Sequence, residues 1–295
     1  MKLSEVSRTV AHLRVNRASP TVITAALQTA TREFCLLDQR IRTKDGMNSC
    51  RYLLNEIRLL GYNDPVLLKT IAPAVHNCVP DVKVLSFCYF TLRKAQCDSE
   101  EFFLWAEEQL LAETAHATVG KLKDLVQVLS GISCTRGSLS VLQKQILKNI
   151  DKTLCIHPQC LNSEENYCSA LHSFAKAGTF SSNLKQLLET RLPPMLAQVA
   201  RHPEKRLLGV IISSACRMKL DTQLLCNAVF PILLQNLNTL SPKHLISVLF
   251  YTAEPGLYDS ALHEKVRGTL PYDLRNQHLS DMLKDAKHRA DQLSR

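Results

Sequence analysis

The densest group of metal-ligating residue types in the chain is Cys155-Ile156-His157-Pro158-Gln159-Cys160, followed by Cys168 and His172. Thiolates and imidazoles this close in sequence could close around a zinc ion. The spacing matches no standard ligand pattern, however, and Cys168 and His172 also fall on an apolar helical stripe. The expectation is buried thiols that behave as small hydrophobes, with no metal and no other cofactor. A second group, Glu100, Glu101, Glu107, Glu108 and Glu113, could supply paired carboxylates for acid–base work. These acids alternate with Phe102, Phe103, Leu110 and Leu111 at helical spacing, which predicts a solvated acidic face able to meet a basic protein. The chain contains no Walker A run, no G-x-G-x-x-G, no G-x-S-x-G and no H-E-x-x-H. Without a phosphate cradle, nucleophile elbow or zinc helix, the expectation is a non-enzyme with no small-molecule substrate.

The basic residues carry more. Arg58, Arg93-Lys94, Arg136, Lys176 and Arg217-Lys219 stand at or near the ends of successive predicted helices. Lys83, Lys121 with Lys123, Lys205-Arg206 and Lys243 stand at the starts of the same helices. Stacked helices lie about 10 Å apart, so either set would form a line of cations able to follow a phosphate backbone. The helix dipole favours cations at C-terminal ends without any ligand. It does not explain the second set, which sits at the opposite end. Both lines are candidate RNA contacts. Aromatics that could stack on bases are few, and several lie in apolar stripes, so shape and phosphate contact are expected to dominate over base readout.

These lines depend on a repeating element about 38 residues long. An apolar helical stripe ends in a short polar turn, the turn closes on Asp or Ser, and a second stripe follows. The fullest copy runs from Cys50 through Leu59-Leu60-Gly61-Tyr62-Asn63-Asp64-Pro65 to Leu68. The turn residues Asp64, Asp98, Ser138, Ser181, Asp221 and Asp259 are separated by 34, 40, 43, 40 and 38 residues. Each is an expected N-cap, and Asp98 with Glu101 is an expected capping box. Pro73, Pro193, Pro231 and Pro271 fall inside the second helices of four units, where each would bend the rod or break it in two. A helix pair of this size cannot bury its own apolar face and must stack on neighbours. The expected fold is therefore all-α: a right-handed α-solenoid of about six helix pairs. The expected layout is N-terminal helices over 1–46, the solenoid over 47–273 and a polar capping helix over 274–295.

Composition agrees. The 295 residues include only 9 Gly, and no apolar run is long enough to cross a membrane. A formal charge of +9 suits a polyanionic partner. Eleven cysteines without framework spacing point to a reducing interior. The segment Met1 to Ser19, with Arg8, Arg14 and Arg17 among hydroxylated residues, fits a mitochondrial presequence and equally the first helix of the array.

The Leu59–Leu68 stretch and its echo Met218-Lys219-Leu220-Asp221-Thr222-Gln223-Leu224-Leu225 resemble the turns of organellar helical-repeat proteins. These are the octotricopeptide and heptatricopeptide repeat proteins and the FAST-kinase-like RNA-binding proteins, in the style of trypanosomatid mitochondrial complexes. The resemblance implies a mitochondrial subunit that binds, stabilises or processes RNA, or scaffolds mitoribosome assembly beside other protein subunits. The chain lacks a RAP-type C-terminal domain and the octotricopeptide Trp motif, and its unit length varies. HEAT or armadillo repeats, which scaffold proteins without touching RNA, fit the prolines and the variable length as well.

Overall fold

The computed structural model describes residues 8–13, 82–116, 122–135, 137–201, 206–271 and 276–294, with isolated positions between 16 and 72. The repeat copy centred on Asp64, and Pro73, lie outside the described residues. The chain is all-helical, with no strand among the described residues. Eleven helices concern the site: α1 Val82–Lys94, α2 Glu100–Ala115, α3 Leu122–Ile132, α4 Val141–Ile156, α5 Glu164–Ala177, α6 Ser182–Val199 and α7 Arg206–Arg217; then α8, α9 Pro242–Thr252, α10 Ser260–Thr269 and α11 Gln277–Leu293. Helix α8 is built from Thr222–Leu224, a π turn over Leu225–Val229, and Phe230–Gln235.

The turns repeat more regularly than the side chains. After each odd-numbered helix from α1 to α9 the backbone enters the left-handed region, at Gln96, Gly137, Gly178, Lys219 and Gly256. Those positions are separated by 41, 41, 41 and 37 residues. Glycine takes this conformation without a Cβ penalty; Gln96 and Lys219 take it at a cost of about 1 kcal/mol or more. The even-numbered helices then begin on Ser99, Ser140, Ser181, Asp221 and Asp259. Ser181, Asp221 and Asp259 are caps as expected, their side chains accepting from the amides of Leu184, Leu224 and Leu262. The other two markers shift. Ser99 rather than Asp98 stands at the start of α2, and the Ser99 side chain makes no cap bond. Ser140, not Ser138, opens α4, and it forms a reciprocal box with Gln143.

Three of these caps, Ser140, Ser181 and Asp221, are also held by an acid from the preceding even-numbered helix. Glu107 of α2 accepts from Ser140 Oγ at 3.0 Å. Asp151 of α4 accepts from Ser181 N at 2.6 Å and Ser181 Oγ at 2.7 Å. Glu189 of α6 accepts from Asp221 N at 2.8 Å. A helix N-terminus leaves amides without helical partners, and a carboxylate there is favoured by both hydrogen bonding and the dipole. The same stitch thus joins three successive even-numbered helices to their successors.

The described contacts form two compact units, residues 1–150 and 151–295. In the first, α1 packs along α3 and against α2. Helix α1 buries Val84, Leu85, Cys88, Tyr89 and Leu92 at spacings of one, three and four. Gly131 of α3 lets it approach closely: a Cβ there would lie 2.6 Å from the Tyr89 ring and 3.2 Å from Phe90 Cα. In the second unit α5, α7, α9 and α11 pack in sequence, while α6 meets the π turn of α8 and α8 meets α10. Tyr167 Oη donates to Leu188 O at 2.8 Å, tying α5 to α6, and the buried Thr252–His263 pair ties α9 to α10. Helix α11, the expected capping helix, lies on α9 with Arg289 over the Phe250 ring.

The prolines do not all sit inside helices. Pro193 and Pro194 lie within the continuous α6. Pro231 follows the π turn, whose looser winding leaves its missing amide at a fresh helix start. Pro271 stands beyond the end of α10.

Candidate nucleic-acid interface

Among the expected cations, Arg58, Lys121, Arg136 and Lys205 lie outside the described residues, while Lys123 lies in α3 and Arg206 opens α7. The others divide sharply by unit.

In the first unit Lys83 and Lys94 are exposed at the two ends of α1, with Lys94 Nζ 5.8 Å from the Phe90 ring centroid. Arg93 points inward. Its Nη2 donates to Glu107 Oε1 at 2.8 Å, and the guanidinium lies 3.7 Å from the Phe103 centroid. Glu107 is buried, which corrects the expectation of a wholly solvated acidic face on α2. Its carboxylate also accepts from Tyr89 Oη at 2.8 Å and Gln143 Nε2 at 2.7 Å. Burial and the Glu107 charge push the Tyr89 phenol well above its ordinary pKa. This network is a structural junction of α1, α2 and α4, and it spends Arg93 internally.

In the second unit the cations converge. Lys176 is exposed in the last turn of α5, Arg217 is half-buried at the end of α7, and Lys243 is exposed in the first turn of α9. Arg217 is held by the Lys176 carbonyl, which it reaches at 3.3 Å, and its guanidinium lies 5.5 Å from the Tyr251 centroid. His172, one turn before Lys176, places Nδ1 3.2 Å from Ser214 Oγ of α7. His172 is accessible to solvent, yet its ring packs against α7. That desolvation, then the charges of Lys176, Lys243, Arg217 and His244, lower its pKa below the ordinary histidine range. His244 sits over Gly209 of α7, where any Cβ would meet its imidazole. Helices α5, α7 and α9 therefore assemble one electropositive face from residues far apart in sequence. His172, His244 and Tyr251 belong to it; Tyr251 is one of the few aromatics that could stack on bases, whereas neither histidine is among the candidate RNA contacts. The periodicity places His172 and His244 on odd-numbered helices beside the cations; which side of the helix they share emerges only on packing.

Two features qualify the lines. Lys219 adopts a positive φ and pairs with Glu254 at 2.7 Å. At the start of α5, where the second line would continue between Arg206 and its predecessors, stand Glu164 and Glu165.

The Cys155–His172 group does not gather. Cys155 Sγ lies 3.6 Å from Asp151 Oδ1, and burial followed by that carboxylate raises its pKa. Cys168 is buried in α5. Among the described residues no three His, Cys, Asp or Glu side chains are arranged to hold a metal ion. No described helix is long and apolar enough to cross a membrane. No protein-family model matches the chain, and no curated protein matches it.

Proposed function

We propose that the chain is a non-catalytic, RNA-associated α-solenoid subunit of a mitochondrial RNA-processing, RNA-editing or mitoribosome assembly complex. The observation that carries this reading is the cationic face of α5, α7 and α9. Every charged neighbour that bears on His172 there is basic, and Arg217 rests on a carbonyl and a tyrosine ring rather than on a carboxylate. Clustered like charge weakens a fold unless an outside anion compensates it, and RNA phosphate is such an anion. The solenoid part of the reading draws its support from the recurring left-handed turns, the acid-to-cap stitches and, within the second unit, the sequential packing of α5, α7, α9 and α11, all beyond residue 82. Mitochondrial residence is supported by the arginines and hydroxylated residues of the first nineteen positions.

A protein scaffold of the HEAT or armadillo kind is the second reading. It is favoured by Leu104, Val141 and Ile156, which expose 56%, 83% and 60% of their surface. Equilibrium binding of single-stranded RNA across a salt series separates the two. The RNA reading requires affinity at low salt that falls steeply as salt rises, by about 0.7 log units per phosphate contact for each log unit of salt. No affinity at low salt would leave the scaffold reading.

A further inference from the structure

Helix α4 carries a charged stripe that the cationic face does not include. Lys144, Lys148 and Lys152 follow one another at four-residue spacing, and all three are exposed. The opposite side of the helix, Ile146, Leu147, Ile150 and Leu154, is buried. Like charges four residues apart weaken a helix, and surface helices ordinarily interleave them with acids. Here the only acid on α4 is Asp151, which is buried and committed to Ser181. Among the described residues no ion pair holds any of the three lysines. The helix therefore keeps a row of three cations that nothing on its own surface neutralises.

We propose that this row is a second RNA-backbone contact, separate from the face on α5, α7 and α9. The proposal takes its ligand class from the RNA reading but rests on different residues. Four residues advance a helix by about 6 Å, so the ammonium groups form an evenly spaced ladder suited to successive phosphates of one strand. Lysine binds phosphate as a point charge and is depleted from the cores of protein–protein interfaces, which use aromatic and Arg anchors. The stripe has no such anchor: its apolar members, Val141 and Ile156, stand at its two ends. A membrane surface fits poorly as well. Interfacial helices insert an apolar face, and the apolar face of α4 is already buried in the protein.

The test is binding of a single-stranded oligouridylate to the full chain across a salt series. Three proteins are compared: the natural sequence, K144Q/K148Q/K152Q, and K176Q/R217Q/K243Q. Circular dichroism and thermal melting confirm that each remains folded. The proposal predicts that the α4 variant loses at least tenfold in affinity at low salt and that its log–log salt slope shrinks by about 2, the value for three lost phosphate contacts. An α4 variant with natural affinity and slope, while the natural protein binds RNA, overturns the proposal and leaves the RNA reading standing. A natural protein that binds no RNA overturns both. Loss of binding to phosphatidylserine vesicles by the α4 variant, with RNA affinity intact, would assign the stripe to membranes and also overturn it.

Discussion

Arg93 and Arg217 stand in matching places, each at the end of an odd-numbered helix and just before a left-handed turn residue, yet they do opposite things. Arg93 is drawn inward to a buried carboxylate and covered by Phe103. Arg217 rests on a main-chain carbonyl and the Tyr251 ring, so its charge remains part of the surface potential that lowers the His172 pKa. The difference comes from what the neighbouring helices supply. Helix α2 brings Glu107 beneath α1, and the carboxylate is secured by Tyr89, Gln143 and Ser140. The helix that follows Arg217 in the same way is α8, and its residues from Thr222 to Gln235 include no acid. One repeat device therefore yields a neutralised junction in one unit and an electropositive face in the other.

The largest expected effect breaks the neutral half of this comparison. Glu107→Ala leaves the half-buried Arg93 guanidinium without its counter-charge and strips the acceptor from three further donors. It should cost about 3–5 kcal/mol in urea denaturation. Arg217→Ala, which abandons no carboxylate, should cost less than about 1 kcal/mol. Equal costs would mean that the two arginines are structurally alike.

The second expected effect concerns pH. Burial, then the charge of Arg267, pushes His263 down to about 4. Unfolded, the ring titrates near 6.5. Between those values the unfolded chain binds more protons, so its contribution to stability is complete above pH 6.5 and is lost as pH falls towards 4, by on the order of 2–3 kcal/mol. Denaturation of His263→Phe between pH 7 and 4.5 should show a shallower decline than the natural protein. Parallel curves would show that His263 does not carry the acid sensitivity.

The smallest expected effect sharpens the packing side. Gly131→Ala drives a methyl into the Tyr89 ring and towards the α1 backbone, and should cost about 1–3 kcal/mol in thermal melts. The nearest atoms to a Cβ at Gly209 belong to the half-buried His244 side chain rather than to backbone, so the cost of Gly209→Ala should be lower.

Helix type was legible because apolar spacing of three and four is local. Among the described residues the turn markers were legible to within two residues. Asp98-Ser99 and Ser138-Leu139-Ser140 each offer competing caps, and only the backbone geometry decides between them. Three of the five left-handed positions are glycines that the sequence displays openly, whereas Gln96 and Lys219 conceal the same conformation. Glu107 was not legible. It is the same residue type as the exposed Glu108 beside it, and Arg93, Tyr89 and Gln143 lie 14, 18 and 36 residues away. The cationic face shares that non-local origin: Lys176, Arg217 and Lys243 were candidates singly, but their meeting around His172 depends on how α5, α7 and α9 stack.

The central claim is that this face in the second unit binds a polyanion while the exposed cations of α1 are secondary. Its most direct measurement compares salt-titrated RNA affinity of K176Q/R217Q/K243Q with that of K83Q/K94Q. The account predicts that the first variant loses at least tenfold in affinity and about 2 from its log–log salt slope, and that the second changes by less than about threefold. Unchanged affinity in the first variant, or an equal loss in the second, would contradict it.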